Sequence, residues 1–559
     1  MVVLGNPPYS GHSANTGEWI SNLLRGNDTQ TGQKTGNYFE VDGQPLGEKN
    51  PKWLNDDYVK FIRFAQWRIE QTGYGILAFI SNHGYLDNPT FRGMRQNLMQ
   101  TFDDIYIFDL HGNSKKKERC PDGSEDKNVF DIQQGVAIGI FIKRTSSKNV
   151  PATVRHADLW GKRELFEKAN DENKIVGGKY HWLANKDIVT TTWKNLKTQH
   201  PYYLFVPTDS NLTNEYDNLW KIVNCMPEGN MGITSGEDDK LVAFTENELK
   251  LRFNSTKYVH SVCYRPFDNR FLWYQPEALA RARYNFMQHL LQKDNLALVT
   301  LRRPRNNLIG NFFVVNCITD KCIISSLDNA QVLPLYIYPE EHTNTLFDDD
   351  NSTHAHDGRK PNLSPKFIED FAARLKMKFI PDGKGDRKKT FGPEDIFSYM
   401  YAVFHSPTYR SRYAEFLKMD FPRLPLTSNP ELFRKLCSLG DELVSLHLME
   451  KHGKKITGYP ITGDSSVDAV RYTEPQCETR GRVWINATQY FDGVPKEVWE
   501  FHVGGYQVCA KWLKDRKGRK LTYDDLTHYQ QIVSALSETI HLMENIDAAI
   551  TASGGWPIS

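Results

Sequence analysis

Val2-Val3-Leu4-Gly5-Asn6-Pro7-Pro8-Tyr9 stands at the amino end of the 559-residue sequence. Its apolar run predicts a short buried strand. That strand delivers an amide, two rigid prolines and an aromatic ring to its carboxyl tip, where open α/β sheets build their active sites. Such a tip suits methylation of a planar exocyclic amine. The Asn6 side-chain oxygen and the Pro7 carbonyl each accept one hydrogen of an NH₂ group, and the amine lone pair is left for attack on a methyl sulfonium. Proline fixes φ and removes a competing donor, so Pro7-Pro8 stiffens the loop and aims the Pro7 carbonyl. Tyr9 offers a π face to a base swung out of a duplex. A proline-rich turn without chemistry is the competing reading.

Outward from this stretch, residues 10 to 55 are rich in Gly, Asn, Ser and Thr and lack periodicity. They predict a long polar loop, either closing over a target base or lying loose on the surface. From Tyr58, apolar residues return at helical spacing through Phe61, Ile62, Ala65 and Ile69. Gly73 and Gly75 end that helix and open a strand, Ile76 to Ile80, with Ser81-Asn82-His83 at its tip. A second helix over Thr90 to Thr101 and a strand over Ile105 to Leu110 follow. After a hydrophilic loop with Lys115 to Lys117, Asn128 to Ile132 leads into Gly135 to Ile142, which is apolar at odd and even positions alike. That pattern predicts a strand covered on both faces. The order of elements is the back half of a doubly wound sheet ending in a hairpin.

Net charge is +1, from 69 Lys+Arg against 68 Asp+Glu, so polyanion binding must come from local patches. Eight cysteines are scattered, and Cys317 and Cys322 have no second pair at zinc-ligand spacing; no metal site is expected. No signal peptide or long apolar run is present, which predicts a cytoplasmic protein with no membrane contact. Past Val150 apolar runs shorten and aromatic and turn residues increase. The acidic stretch Asp348 to Lys360, with His354 and His356, reads as a solvated linker. The expected domains are 1–150, 151–345, a linker over 346–362, and 363–559. Pro393 to Leu417 reads as helical. A final long helix starts at Thr522, which can cap it together with Asp525.

Asn6 to Tyr9 resemble the catalytic motif of amino-methyltransferases. Adenine-N6 DNA methyltransferases, enzymes that methylate a glutamine of protein release factors, and some that methylate guanine in RNA share it. Further segments extend the resemblance. Asp109-Leu110-His111-Gly112-Asn113, Asn128 to Ile132 and Gly135 to Ile138 are similar to the later methyltransferase core of type ISP restriction-modification enzymes. Tyr264 to Arg270, Arg281-Ala282-Arg283, Pro334-Leu335-Tyr336, Tyr399 to Pro407, Phe421 to Pro425, Gly504-Gly505-Tyr506 and Lys511 to Arg516 resemble that family's specificity domain.

The resemblance implies an α/β fold: a partial doubly wound methyltransferase sheet followed by a mixed α+β target-recognition region. It implies adenine-N6 methylation of double-stranded DNA in a restriction-modification system, with S-adenosylmethionine as donor. Asn6, Pro7 and Pro8 would form the amine clamp, and Tyr9 and Phe130 would stack on the base. Arg265, Arg270, Arg281, Arg283, Arg302, Arg303 and Arg305 are the candidate DNA contacts, since arginine reads guanine edges or clamps phosphates. Only Met1 precedes Val2, and no glycine turn for the cofactor is found. The chain is therefore expected to need an upstream segment or subunit; the alternative is a catalytically silent sequence-specific DNA-binding module.

Overall fold

The computed structural model describes every residue except 10–12, 14, 49–50, 117, 146–149, 170–171, 306–308, 340–357, 475–479 and 559. It is mixed α/β and divides into two compact units, Met1–Asn214 and Glu215–Ser559. The first boundary thus lies well past residue 150. The expected linker lies mostly outside the described residues, as do His354 and His356.

The first unit is built on strands β1 (Val2–Gly5), β2 (Gly75–Asn82), β3 (Asp104–His111), β4 (Val136–Lys143), β5 (Thr153–Asp158) and β6 (Lys194–Asn195), in the spatial order β1-β2-β4-β3-β5-β6. β1 runs parallel to β2, β4 is antiparallel to both β2 and β3, and β5 is parallel to β3. β5 and β6 carry the sheet beyond the expected boundary because β5 pairs along β3 from Thr153 to Asp158.

Helix α1 (Glu18–Leu24) precedes α2 (Asp57–Thr72) and α3 (Arg92–Thr101). Asp56 caps α2, and Gly73 ends it at φ 81°, a left-handed turn that costs glycine little. Leu77 and Phe79 of β2 pack with Ile62, Ile69, Met94 and Leu98 in one core. The other sheet face is only half covered. Val2 and Leu4 are 63% and 71% exposed, and Ile138, Ile140 and Ile142 are half-buried. The predicted buried strand is therefore an edge strand with one bare side, and β4 is not covered on both faces. Four apolar residues in a row read alike in either setting, because only neighbours decide burial.

The described residues between 15 and 48 also depart from a loose loop. α1 and the paired strands Arg25–Asn27 and Lys34–Asn37 bury Leu23, Leu24 and Tyr38. The carboxylate of Asp28 accepts the indole N–H of Trp19 and of Trp67, each at 2.9 Å.

In the second unit, hairpin β7 (Val259–Arg265) and β8 (Asp268–Trp273) turns at Phe267, φ 61°. A four-stranded sheet includes Ala297–Thr300 and Phe312–Val315. Helices α4 (Pro393–His405) and α5 (Pro430–His447) pack beside it, and α6 (Tyr523–Ala552) packs on both helices. A reciprocal capping box of Thr522 and Asp525 starts α6 as expected. The two lobes expected at 151–345 and 363–559 share a core: Phe404 stacks on Phe312 at 4.7 Å, and His447 packs on Phe313.

That core holds two neutral histidines. Burial, reinforced by Arg410, pushes His447 down to about 3 and His405 well below its ordinary value. The unfolded chain takes up these protons near pH 6.5, before the folded one does. Stability is thus fully present above about pH 6.5 and is lost as pH falls, by roughly 1.4 kcal/mol per pH unit for each histidine. Urea unfolding between about pH 7 and 5 should show this slope, and His447→Gln should flatten it. A stability that is flat over that range in the unaltered chain would contradict it.

Candidate functional site

The carboxyl ends of β1, β2 and β3 lie along one side of the first sheet. Gly5 ends β1 close to Phe79: a Cβ there would sit 3.0 Å from that ring. Beyond it Asn6 and Pro8 are exposed, Pro7 is buried and Tyr9 is half-buried. The Tyr9 hydroxyl donates to the Ile80 carbonyl at 3.3 Å, and burial pushes its pKa up to about 12. The ring therefore stays neutral and is held against the end of β2.

Phe130 comes to it across more than a hundred residues of sequence, with ring centroids 6.1 Å apart and planes at 57°. Both rings, with Ile80, Ile132 and Ile138, pack against a small apolar cluster that includes Phe108 and Leu110. The Phe130 segment is braced from several sides. Its N–H donates to Asn128 Oδ1 (2.9 Å), while Asn128 Nδ2 donates to the carbonyls of Gly112 (3.1 Å) and Gln134 (2.6 Å). Arg163 donates to the Asn128 and Phe130 carbonyls and pairs with Asp131 at 2.8 Å. Phe130, Asn128, Glu118 and Arg163 line an open cleft of about 700 Å³. The bracing role of Arg163 was not legible in sequence, since its partners are backbone carbonyls distant along the chain.

Beside this cleft is a buried polar group. Asp109 Oδ1 accepts from His83 Nδ1 and from the His111 N–H, both at 3.0 Å. Burial opposes charge on Asp109, but the two histidines and these hydrogen bonds outweigh it and hold the carboxyl well below the usual range. The ring of His83 passes over Gly135, where a Cβ would lie 2.3 Å from it. Sequence periodicity marks His83 and His111 only as polar strand tips and gives no sign that they meet.

The arginines are placed differently from one another. Arg270 is 9% exposed and bound to Asp268 (2.7 Å) and Asp515 (3.3 Å). Arg265 pairs with Asp320 at 2.8 Å and lies over Tyr264. Arg302 reaches Asp420 (2.9 Å) and Arg305 reaches Asp328 (3.2 Å), both from exposed positions, and Arg303 is half-buried. Arg281 is exposed, and half-buried Arg283 bonds only neutral acceptors among its described contacts, Gly232 O and Asn230 Oδ1. Arg281 and Arg283 stand two residues apart.

Three solved structures are similar to the whole chain in fold. One is described as the ATP-dependent Type ISP restriction-modification enzyme LlaBIII bound to DNA: TM-score 0.68, 19% identity, covering 98% of this chain and 37% of that one. A nuclease-deletion mutant of the Type ISP enzyme LlaGI with a DNA substrate mimic gives 0.65 and 17%, covering 98% and 52%. A DrdV-DNA complex gives 0.68 and 17%, covering 97% and 56%. The chain thus spans between about a third and just over half of their length. No curated protein matches its sequence. The model of the Type ISP C-terminal specificity domain matches residues 228–545, more than half of the chain, so the chain belongs to that family.

Proposed function

We propose that the chain reads a DNA sequence through its second unit and, with its first, supplies the acceptor half of an adenine-N6 methyltransferase. The observation that carries the second part is the meeting of Asn6 to Tyr9 with Phe130 at the carboxyl edge of the sheet. The strand order β1-β2-β4-β3, with β4 antiparallel, supports a methyltransferase-type sheet. In this reading an adenine leaves the duplex and stacks against Tyr9 and Phe130, gaining roughly 1–3 kcal/mol that offsets the cost of flipping. The Asn6 carbonyl oxygen and the Pro7 carbonyl take the two amine hydrogens. Pro8 keeps that loop rigid.

S-adenosylmethionine is the donor this chemistry calls for. Among the described residues, no strand of the six-stranded sheet is followed by a glycine-rich turn that opens a helix, so the donor does not fit on these residues alone. The free edge of β1 and the exposed Val2, Leu4 and Ile76 beside it form the surface on which an upstream α/β segment would add a strand. The three similar structures, all longer chains, are of proteins with DNA or a DNA mimic, which supports the DNA partner. Supplying an amino-terminal half should restore methyl transfer to duplex DNA. A well-folded complex that binds a specific sequence but transfers no methyl group would favour the alternative, a silent DNA reader.

Arg281 and Arg283 are the foremost DNA contacts in this proposal because their described contacts include no carboxylate; exposed Arg302 and Arg305 come next, with Arg303 beside them. Loss of one phosphate contact reduces the salt slope of binding by about 0.9. Arg281→Ala should therefore lower affinity at low salt and flatten log K against log salt by about one unit. Unchanged slopes in Arg281→Ala and Arg283→Ala would remove them from the interface.

A further inference from the structure

We propose that His83, His111 and Glu118 form a site for a divalent borderline ion such as Zn²⁺, bound by two imidazoles and one carboxylate with a fourth position open. One ligand atom from each residue lies within 4.8 Å of the others, and both histidines are buried. Tetrahedral zinc with bonds of about 2.0–2.2 Å sets its ligands roughly 3.4 Å apart, so closure needs a shift of about an ångström. Glu118 is half-buried on the loop after β3.

The supporting shell is already built. Metal-bound imidazoles donate their second N–H to a carboxylate or carbonyl, which fixes tautomer and ring direction. His83 Nδ1 is held by Asp109 at 3.0 Å, leaving Nε2 with its lone pair. His111 Nε2 is held by Asp158 at 2.9 Å, and Trp160 stacks on the ring. His83 thus has Nε2 to offer, and His111 has Nδ1, which lies 3.7 Å from Asp109 Oδ2, too far for a hydrogen bond. Glu118 is steered from its own loop: Asn113 N–H donates to its carboxylate at 2.7 Å, and its N–H donates to the Asn113 carbonyl at 3.2 Å. Asn113 Nδ2 lies a long 3.3 Å from His83 Nε2, a contact that an ion would replace. Gly135 keeps the space that lets His83 lie between the strand ends. Among the described residues, no other group of three histidine, cysteine or acidic side chains gathers in this way. An ion here would tie the loop after β3 to the ends of β2 and β3, beside the Phe130 cleft.

The test uses the full chain, stripped with a chelator, incubated with Zn²⁺ and desalted, with bound metal counted by mass spectrometry. The proposal expects one equivalent retained, a zinc-dependent rise in Tm, and visible bands of a low-symmetry site on substitution with Co²⁺. Glu118→Gln, on the half-buried loop, should keep the circular dichroism spectrum and lose both retention and the Tm rise. Asp158→Asn, which neutralises the carboxylate that faces His111 Nε2 at 2.9 Å and His156 Nδ1 at 3.6 Å, should weaken binding about 10–100-fold. Failure to retain zinc overturns the proposal. So does equal retention by Glu118→Gln and His83→Gln, which would place the ion elsewhere.

Discussion

Asn6→Ala is expected to lower methyl transfer by roughly 10²–10³-fold in kcat once a cofactor-binding half is supplied, the scale seen when one group aimed at developing charge is removed. In the proposed clamp the Asn6 amide would accept an amine hydrogen just as the nitrogen becomes positively charged, so its contribution would be largest in the transition state. DNA affinity and KM should change little. Asn6 is exposed at the tip of β1, so its truncation leaves no buried group unpaired and stability should move by no more than about 0.5 kcal/mol. Tyr9→Ala provides the contrast: it removes a stacking face and should raise KM as well as lower kcat. Equal activity of Asn6→Ala and the unaltered complex would remove the amine clamp from the proposal.

Asp268→Ala is expected to cost about 3–5 kcal/mol of unfolding stability in the second unit, because it strands buried guanidinium groups. Asp268 is 1% exposed. Its Oδ2 accepts from Arg270 Nε (3.0 Å) and Nη2 (2.7 Å), and its Oδ1 accepts from Arg516 Nη2 (2.8 Å). Burial alone would raise its pKa, but Arg516 and Arg270 overcome that and hold it below the ordinary value. Arg516 lies 3.5 Å over the Trp512 ring and Arg270 lies 4.0 Å over Tyr264, so neither can swing out to water without breaking apolar packing. The urea midpoint should fall while the m-value stays constant. A loss below about 1 kcal/mol together with weakened DNA binding would instead return Arg270 to the DNA surface.

The contrast between Arg270 and Arg281 shows where sequence stops being informative. Both lie in aromatic and basic surroundings and read alike in one dimension. Arg270 is spent inside the fold because Arg516 and Asp515, more than two hundred residues away, close around Asp268 with it. Local elements were more legible. The periodicity from Tyr58, the glycine at position 73 and the box of Thr522 with Asp525 depend on neighbours in sequence, and all appear where expected. The segment around Asp28 was illegible because its carboxylate joins Trp19 to Trp67, a contact that follows no repeat. At the candidate site, the strand that carries Asn6 to Tyr9 could be read from its apolar run. The pairing of Tyr9 with Phe130, and the meeting of His83 with His111 around Asp109, arise only when β4 is inserted between β2 and β3.

Whether this chain reads a DNA sequence is decided by selection from a randomised duplex library. The purified chain is incubated with the library at moderate salt, and the retained duplexes are sequenced. One asymmetric adenine-containing motif should be enriched, with affinity for it weakened by Arg281→Ala. Retention that leaves the library's base composition unchanged would contradict it.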